Sequence, residues 1–373
     1  MRIAVIGDGE AERAWASWIR GGPDHVLAAT GDLEESLAAP GLDAAIVGGR
    51  MSDRGEALRR ASAERLVLVA LHPPGPDAFA YDQAAAIAET AGAVIVPDLP
   101  LRLHPGVARL RSAIADGPPG AYLSVRHEVP LVAGEDLARV TFARAVDVLR
   151  DLLGEFEGLT ASGDSEGAEP VHDLLVRLRA RGGRLAELRV ASAADDLARL
   201  IVIGTEGSVA LEYDPGHERG ARLVIRRGVS TPVVEEVAGP FDPREAILDA
   251  PRRPHGPSLL DGIRAMELAE AVVRSLRRGR TIDLHAEPRG VEARFKSSMI
   301  ATGCLTLVGA LALYILAAVG RAMGFEPAAY LAYLIPPLLA GFLAVQLVRP
   351  AGRPEEGSLG EALPGRAGQR SRM

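Results

Sequence analysis

Cysteine and lysine are almost absent from this chain of 373 residues: Cys304 is the only cysteine, and Lys296 is the only lysine among 42 basic residues. A lone cysteine excludes an intramolecular disulfide and any cysteine-built metal cage. With every other basic residue an arginine, no lysine is available for chemistry in the body of the chain. Basic runs are missing too. The net charge is −7, so nucleic acid is excluded as the main partner. No P-loop and no H-E-x-x-H pattern occurs, which leaves kinase and zinc-protease readings without support. His127-Glu128 and His172-Asp173 lack metal-ligand spacing, so no metal site is expected. The N-terminus has no signal-peptide apolar region, because Met1-Arg-Ile-Ala-Val-Ile-Gly7 runs straight into a strand and a turn.

What is abundant is apolar sequence. Hydrophobic residues reach 48% and the mean hydropathy is +0.11, high for a chain that folds wholly in water. The excess lies at the end. Residues 299–320 and 327–348 carry no charge, and each run of about 22 residues makes a helix of about 33 Å, enough for a hydrocarbon core of about 30 Å. The connection 321–326 is short, so the spans are expected to run antiparallel. Tyr330 and Tyr333 fall near one interface, and Pro336-Pro337 is expected to kink the second span. Arg289, Arg294 and Lys296 precede the hairpin, and Arg349, Arg353, Arg366, Arg370 and Arg372 follow it. The positive-inside rule then puts both termini and the soluble domains in the cytoplasm. Residues 349–373, rich in Pro, Gly and Arg, read as a disordered cytoplasmic tail.

The first third alternates strands with helices. Ile3-Ala-Val-Ile6 suits a buried parallel strand and ends in Gly7-Asp8-Gly9-Glu-Ala-Glu12, followed by a helix with Ala14, Trp15, Trp18 and Ile19 on one side. Strand, glycine turn and helix in that order is the setting of a dinucleotide fingerprint, in which a pyrophosphate meets the helix N-terminus. The third fingerprint position wants Gly or Ala and holds Glu12, a poor neighbour for phosphate. Asp32, after the strand Val26–Thr30, stands where a ribose-binding acid belongs and would favour NAD over NADP; it also suits a plain loop acid. Further strands are expected at 42–47, 65–70 and 93–96, with an alanine-rich helix at 77–91. From Gly120 the pattern changes to strands at 122–127, 184–190, 197–203, 209–213 and 222–226, with a hairpin at Gly204–Gly207. Helices are expected at 142–153 and 259–277, the latter burying Ile263, Met266, Leu268 and Val272.

Four stretches resemble the glucose–fructose oxidoreductase and inositol dehydrogenase (Gfo/Idh/MocA) family. They are the N-terminal turn, Arg102-Leu-His-Pro105, Ile203-Gly-Thr-Glu-Gly-Ser208, and Asp261-Gly-Ile-Arg-Ala-Met266 leading to Ser275-Leu-Arg-Arg-Gly-Arg280. The resemblance covers residues 1 to about 285 in colinear order. It implies a Rossmann-like α/β domain over 1–119 and an α+β domain with an open antiparallel sheet over 120–285, followed here by the two-helix transmembrane hairpin. It also implies NAD or NADP as cofactor, held by Gly7, Asp8, Gly9 and Asp32, and a sugar or polyol substrate.

The chain departs from the family where the family does its chemistry. The Glu-Lys-Pro that follows the fourth strand is Leu71-His72-Pro73 here, and the D-x-x-x-H pattern falls on Val140 and Arg144. Only its structural aspartate, Asp147, remains. The Thr-Pro after the third strand is Gly48-Gly49-Arg50, and the stretch between His127 and Phe142 is shorter than usual. His72 is the one candidate base, able to titrate near neutrality, or simply a surface histidine before Pro73-Pro74. His104 matches a structural position.

Two functions follow. One is a membrane-tethered NAD(P)-dependent oxidoreductase on a sugar or polyol, with altered catalytic groups. The other is a catalytically inactive nucleotide- or sugar-binding or scaffold protein on the same fold. The expected partners are a small sugar or polyol and the lipid bilayer through the hairpin, with oligomerisation open.

Overall fold

The apolar runs near the N-terminus become strands β1 (Arg2–Ile6), β2 (Val26–Gly31), β3 (Ala44–Val47), β4 (Val67–Ala70) and β5 (Val94–Pro97). They pair in parallel in the order β2-β1-β3-β4-β5. The computed structural model describes residues 1–115, 119–132, 134–163, 173–192, 196–284, 314–316, 318–319 and 322–323. Helices α1 (Glu10–Gly21), α2 (Leu33–Leu37), α3 (Met51–Ala61) and α4 (Phe79–Ala91) join the strands, and α5 (Pro105–Ala115) follows the last one. Strands covered on both faces need no polar positions, and all four residues of β3 are buried. The helix α1 turns Trp15 and Ile19 into the core, 4% and 1% exposed.

The second sheet holds β6 (Tyr122–Pro130), β7 (Phe156–Gly163), β8 (Leu174–Ala180), β9 (Leu185–Ala191), β10 (Ala198–Gly204), β11 (Gly207–Tyr213), β12 (Ala221–Arg227), β13 (Val233–Ala238) and β14 (Ile282–Asp283). Their order is β13-β12-β11-β10-β6-β9-β8-β7-β14. The sheet is mostly antiparallel, as expected, with one parallel pair at its centre, β6 and β9. The hairpin at Gly204–Gly207 joins antiparallel β10 and β11 as expected. Strands β7, β8 and β13, unread in the sequence, extend the sheet on both sides. Helices α6 (Phe142–Leu153), α7 (Arg244–Leu248) and α8 (Leu259–Arg278) complete the set. Along β8 the burial alternates, so one sheet face is dry and packs on α6 and α8 while the other bears charge.

The join between the sheets is ionic. Arg102, in the turn after β5, forms a buried double hydrogen bond with Asp147 of α6 and lies 3.1 Å from Asp261 of α8. Arg150 of α6 reaches the same Asp261 oxygen at 3.2 Å. Gly262 follows that aspartate for a packing reason: a Cβ there would sit 2.9 Å from the ring of Tyr81.

Residues 1–286 form one compact unit and residues 287–373 a second. Most of the expected hairpin and all of the expected tail lie outside the described residues. Among the described residues no helix is long and apolar enough to cross a membrane. Those of the first expected span are helical at 314–316 and 318–319, with Tyr314, Ile315, Leu316 and Val319 all more than half exposed.

Candidate functional site

The C-terminal edge of the parallel sheet brings together the turns after β1, β3 and β4. Gly7 has φ +107°, a conformation that side chains resist, and its N–H donates to the Gly31 carbonyl at 2.8 Å. The β1 turn is thereby tied to the end of β2, which sets Gly7, Asp8 and Gly9 beside Asp32. Asp8 is exposed and its carbonyl accepts from Arg13 Nη1 at 2.5 Å. Asp32 caps α2: its Oδ1 accepts the Glu34 N–H at 2.9 Å. That capping role accounts for an aspartate here without a ribose.

Glu12 decides how the turn is filled. It lies in the first turn of α1, is 3% exposed, and bends back over the glycines. Its Oε1 accepts the Gly49 N–H at 2.5 Å. A Cβ on Gly9 or Gly48 would collide with this carboxylate, and one on Gly7 would lie 3.1 Å from Oε1. In a dinucleotide-binding turn this space receives the pyrophosphate. Here it holds a side-chain anion, so the residues present do not fit a diphosphate.

Arg54 of α3 continues the lattice. Its Nη2 donates to the Gly49 carbonyl at 2.9 Å and its Nη1 to the Pro73 and Leu71 carbonyls at 2.8 and 3.3 Å. The turn after β3 is therefore gripped at its N–H by Glu12 and at its C=O by Arg54, and the same guanidinium holds the turn after β4. Burial lowers the Arg54 pKa, and the Glu12 carboxylate works against that shift.

His72 corrects the sequence reading. It is not a surface residue: it is 1% exposed, hydrogen-bonded through Nδ1 to the Tyr81 hydroxyl at 3.0 Å, and stacked on that ring. Burial, together with the positive charges of Arg144 and Arg54, lowers its pKa to about 3. It is neutral at physiological pH and too weak a base to relay a proton there. Arg144 Nε donates to the His72 carbonyl at 2.9 Å, while its Nη1 meets Glu135 at 3.2 Å. The β4 turn and the α6 helix meet at this contact, and neither side chain offers a base.

Three participants were not read from the sequence: Arg54, Tyr81 and Asp98. Asp98 follows β5 directly. Burial raises its pKa to about 6, against the pull of Arg144, Arg244 and Arg54. An acid just past the C-terminal end of a parallel strand was the one available signal, since ligands bind at that edge. Arg54 and Tyr81 sit mid-pattern on helices and had no local signature. His104 and His127 lie apart from this edge. His104 accepts the Gly106 N–H at 2.9 Å, and His127 bridges the Ala145 carbonyl and the Tyr213 hydroxyl. Gly163-Asp164-Ser165-Glu166-Gly167 reads as G-x-S-x-G, but it leaves β7, whose partners β8 and β14 are antiparallel, with no strand-to-helix elbow ahead of it in the described residues. Its Ser165 lies outside those residues, as does His172. Among the described residues no group of His, Cys, Asp and Glu could hold a metal.

Parallel sheet, glycine turn and mixed sheet together form a Rossmann-like fold that recurs in solved oxidoreductase structures. Solved structures match it. A myo-inositol dehydrogenase from Sinorhizobium meliloti, so described provisionally, is 20% identical with a TM-score of 0.62 over 76% of this chain and 100% of its own. The aldose–aldose oxidoreductase of Caulobacter crescentus, solved with glycerol, is 17% identical with a TM-score of 0.65 over 76% and 99%. An oxidoreductase of Agrobacterium radiobacter, solved with NAD+, L-tartaric acid and magnesium, is 15% identical with a TM-score of 0.62 over 76% and 98%. No family model and no curated relative matches the sequence. At these identities the likeness shows the fold.

Proposed function

We propose that this protein is a membrane-tethered, non-catalytic member of the sugar and polyol oxidoreductase fold, a binding or scaffold protein that has lost the dehydrogenase chemistry. The observation that carries the reading is His72. The resemblance puts the hydroxyl-activating lysine at this position, and the histidine there is sealed against Tyr81 with its pKa lowered to about 3. Removing a hydroxyl proton as hydride leaves needs a titratable group within hydrogen-bond reach, a contribution of about 10²–10⁴-fold. Val140 cannot titrate and Arg144 stays protonated. The tether rests on the charge-free runs 299–320 and 327–348, their arginine flanks and the exposed side chains of Tyr314, Ile315, Leu316 and Val319. The flanks favour cytoplasmic termini and a cytoplasmic soluble part. The test is NADH or NADPH formation by the full chain in detergent on inositols, aldoses and glycerol. No turnover above background is expected, and robust turnover on any of them ends the reading.

A second reading keeps the activity, and Asp98 favours it. A carboxyl with its pKa raised to about 6 at the ligand-binding edge of the sheet is a usable base near neutrality. Under that reading turnover would be present and would collapse in Asp98→Asn.

A further inference from the structure

We infer that Glu12 is an internal ligand: its carboxylate occupies the diphosphate cradle of the glycine turn and closes the chain to dinucleotides. Four observations converge on this. The cradle keeps its anion-binding form, since Gly7 has the positive φ that the tight turn needs and α1 begins directly after Gly9. An anion is already inside it, because Glu12 is 3% exposed although it is a glutamate in an otherwise solvated first helical turn. The anion is paired as a bound phosphate would be, to a backbone N–H: Oε1 accepts from Gly49 at 2.5 Å. The carboxylate fills the space beside two of the glycines, because side chains at Gly9 and Gly48 would overlap it.

The hydrogen bonds around the carboxylate show why it stays. Gly49 is held by Glu12 through its N–H and by Arg54 through its carbonyl, and Arg54 also holds the carbonyls of Leu71 and Pro73. Turns that an oxidoreductase of this fold would spend on its cofactor are here bonded to one another. An entering diphosphate would have to expel a buried anion, break the Gly49 bond and release the β3 turn. It would also have to do so beside a second negative charge if the carboxylate stayed nearby. This inference does not rest on the loss of catalysis, because a protein could bind NAD and still turn nothing over.

The experiment is a calorimetric titration of the full chain in detergent with NAD, NADP and inorganic pyrophosphate, on the wild type and on Glu12→Gly and Glu12→Ala. The wild type is expected to show no saturable binding of any of the three up to millimolar concentration. The variants are expected to bind pyrophosphate and NAD at least tenfold more tightly than the wild type. Their melting temperatures should then rise with added pyrophosphate while that of the wild type does not, because a ligand stabilises only the folded state that binds it. Micromolar NAD binding by the wild type overturns the inference. Folded variants that gain neither affinity nor a thermal shift overturn it equally. Should both variants fail to fold, the wild-type titration still decides. Binding of NAD without turnover would defeat this inference and leave the proposed function standing, and turnover would defeat that function.

Discussion

His127 and Tyr213 share a hydrogen bond at 2.8 Å between Nε2 and the phenol, while the other ring nitrogen faces the Ala145 carbonyl at 3.2 Å. A carbonyl only accepts, so Nδ1 carries a proton, and in the neutral ring Nε2 accepts from the tyrosine, which engages both nitrogens. Burial lowers its pKa to about 4. His104, also buried, is lowered to about 4 as well, with His217 contributing.

These shifts set a direction for stability against pH. A histidine whose folded pKa lies below its unfolded value binds fewer protons in the native state. Its stabilisation is therefore complete above pH about 6.5 and is lost as pH falls toward the folded value. Between pH 6.5 and 5, His127 should account for a loss of about 2 kcal/mol. Urea unfolding of the wild type and of His127→Gln at the two pH values checks this. The variant should lose less stability than the wild type on acidification, and parallel curves would refute the assignment. Asp98 acts in the opposite sense, its raised pKa favouring the folded state at acid pH, so the comparison with the variant is needed to isolate the imidazole.

The ion pair across the join between the two sheets makes a second prediction. Arg102 Nε donates to Asp147 Oδ2 at 2.7 Å, with both side chains nearly sealed from water. Asp147→Ala leaves the buried Arg102 guanidinium without its doubly bonded partner, while Arg150 keeps Glu155 and Asp261, and should cost about 3–5 kcal/mol. Adding Arg102→Met should recover part of that loss, because the unpaired charge is then gone. A single variant within about 0.5 kcal/mol of the wild type in urea unfolding would show that Asp261 alone suffices.

Asp32 gives a third. As the cap of α2 it should cost about 1 kcal/mol when replaced by alanine, whatever it does for a ligand. In the Glu12→Gly background it should also repel the 2′-phosphate of NADP, so NAD should bind more tightly than NADP there. Asp32→Ala in that background should erase the preference. Equal affinities before the second substitution would leave Asp32 a cap only.

The tether gives a fourth. A chain ending at Arg294 retains the whole compact unit 1–286 and should be soluble and folded. The full chain should stay with membranes, resist carbonate extraction, and present a reporter fused after Met373 to the cytoplasm. Leu311→Arg should cost about 2.5–3.5 kcal/mol of insertion free energy. A truncated chain that aggregates while the full chain is stable in detergent would make the C-terminal segment part of the fold.

Local sequence determined a good deal of this protein. Buried parallel strands such as Ala44–Val47 are apolar throughout, half-buried strands alternate, and helices such as Phe142–Leu153 show their period. Each of these signals lies within a few consecutive residues. The glycine turn was legible for the same reason. Which strands pair was not: β6 and β9 lie side by side in parallel although two strands and a helix separate them in the chain. Nor was the state of the site. Glu12 could be seen as a poor neighbour for phosphate, but only the folded β3 turn supplies the Gly49 N–H that draws its carboxylate into the cradle. His72 looked available beside two prolines, until α4 brought Tyr81 against it and α6 brought Arg144 to its carbonyl. Burial and charge set the pKa of an ionisable group, and both come from residues distant in sequence.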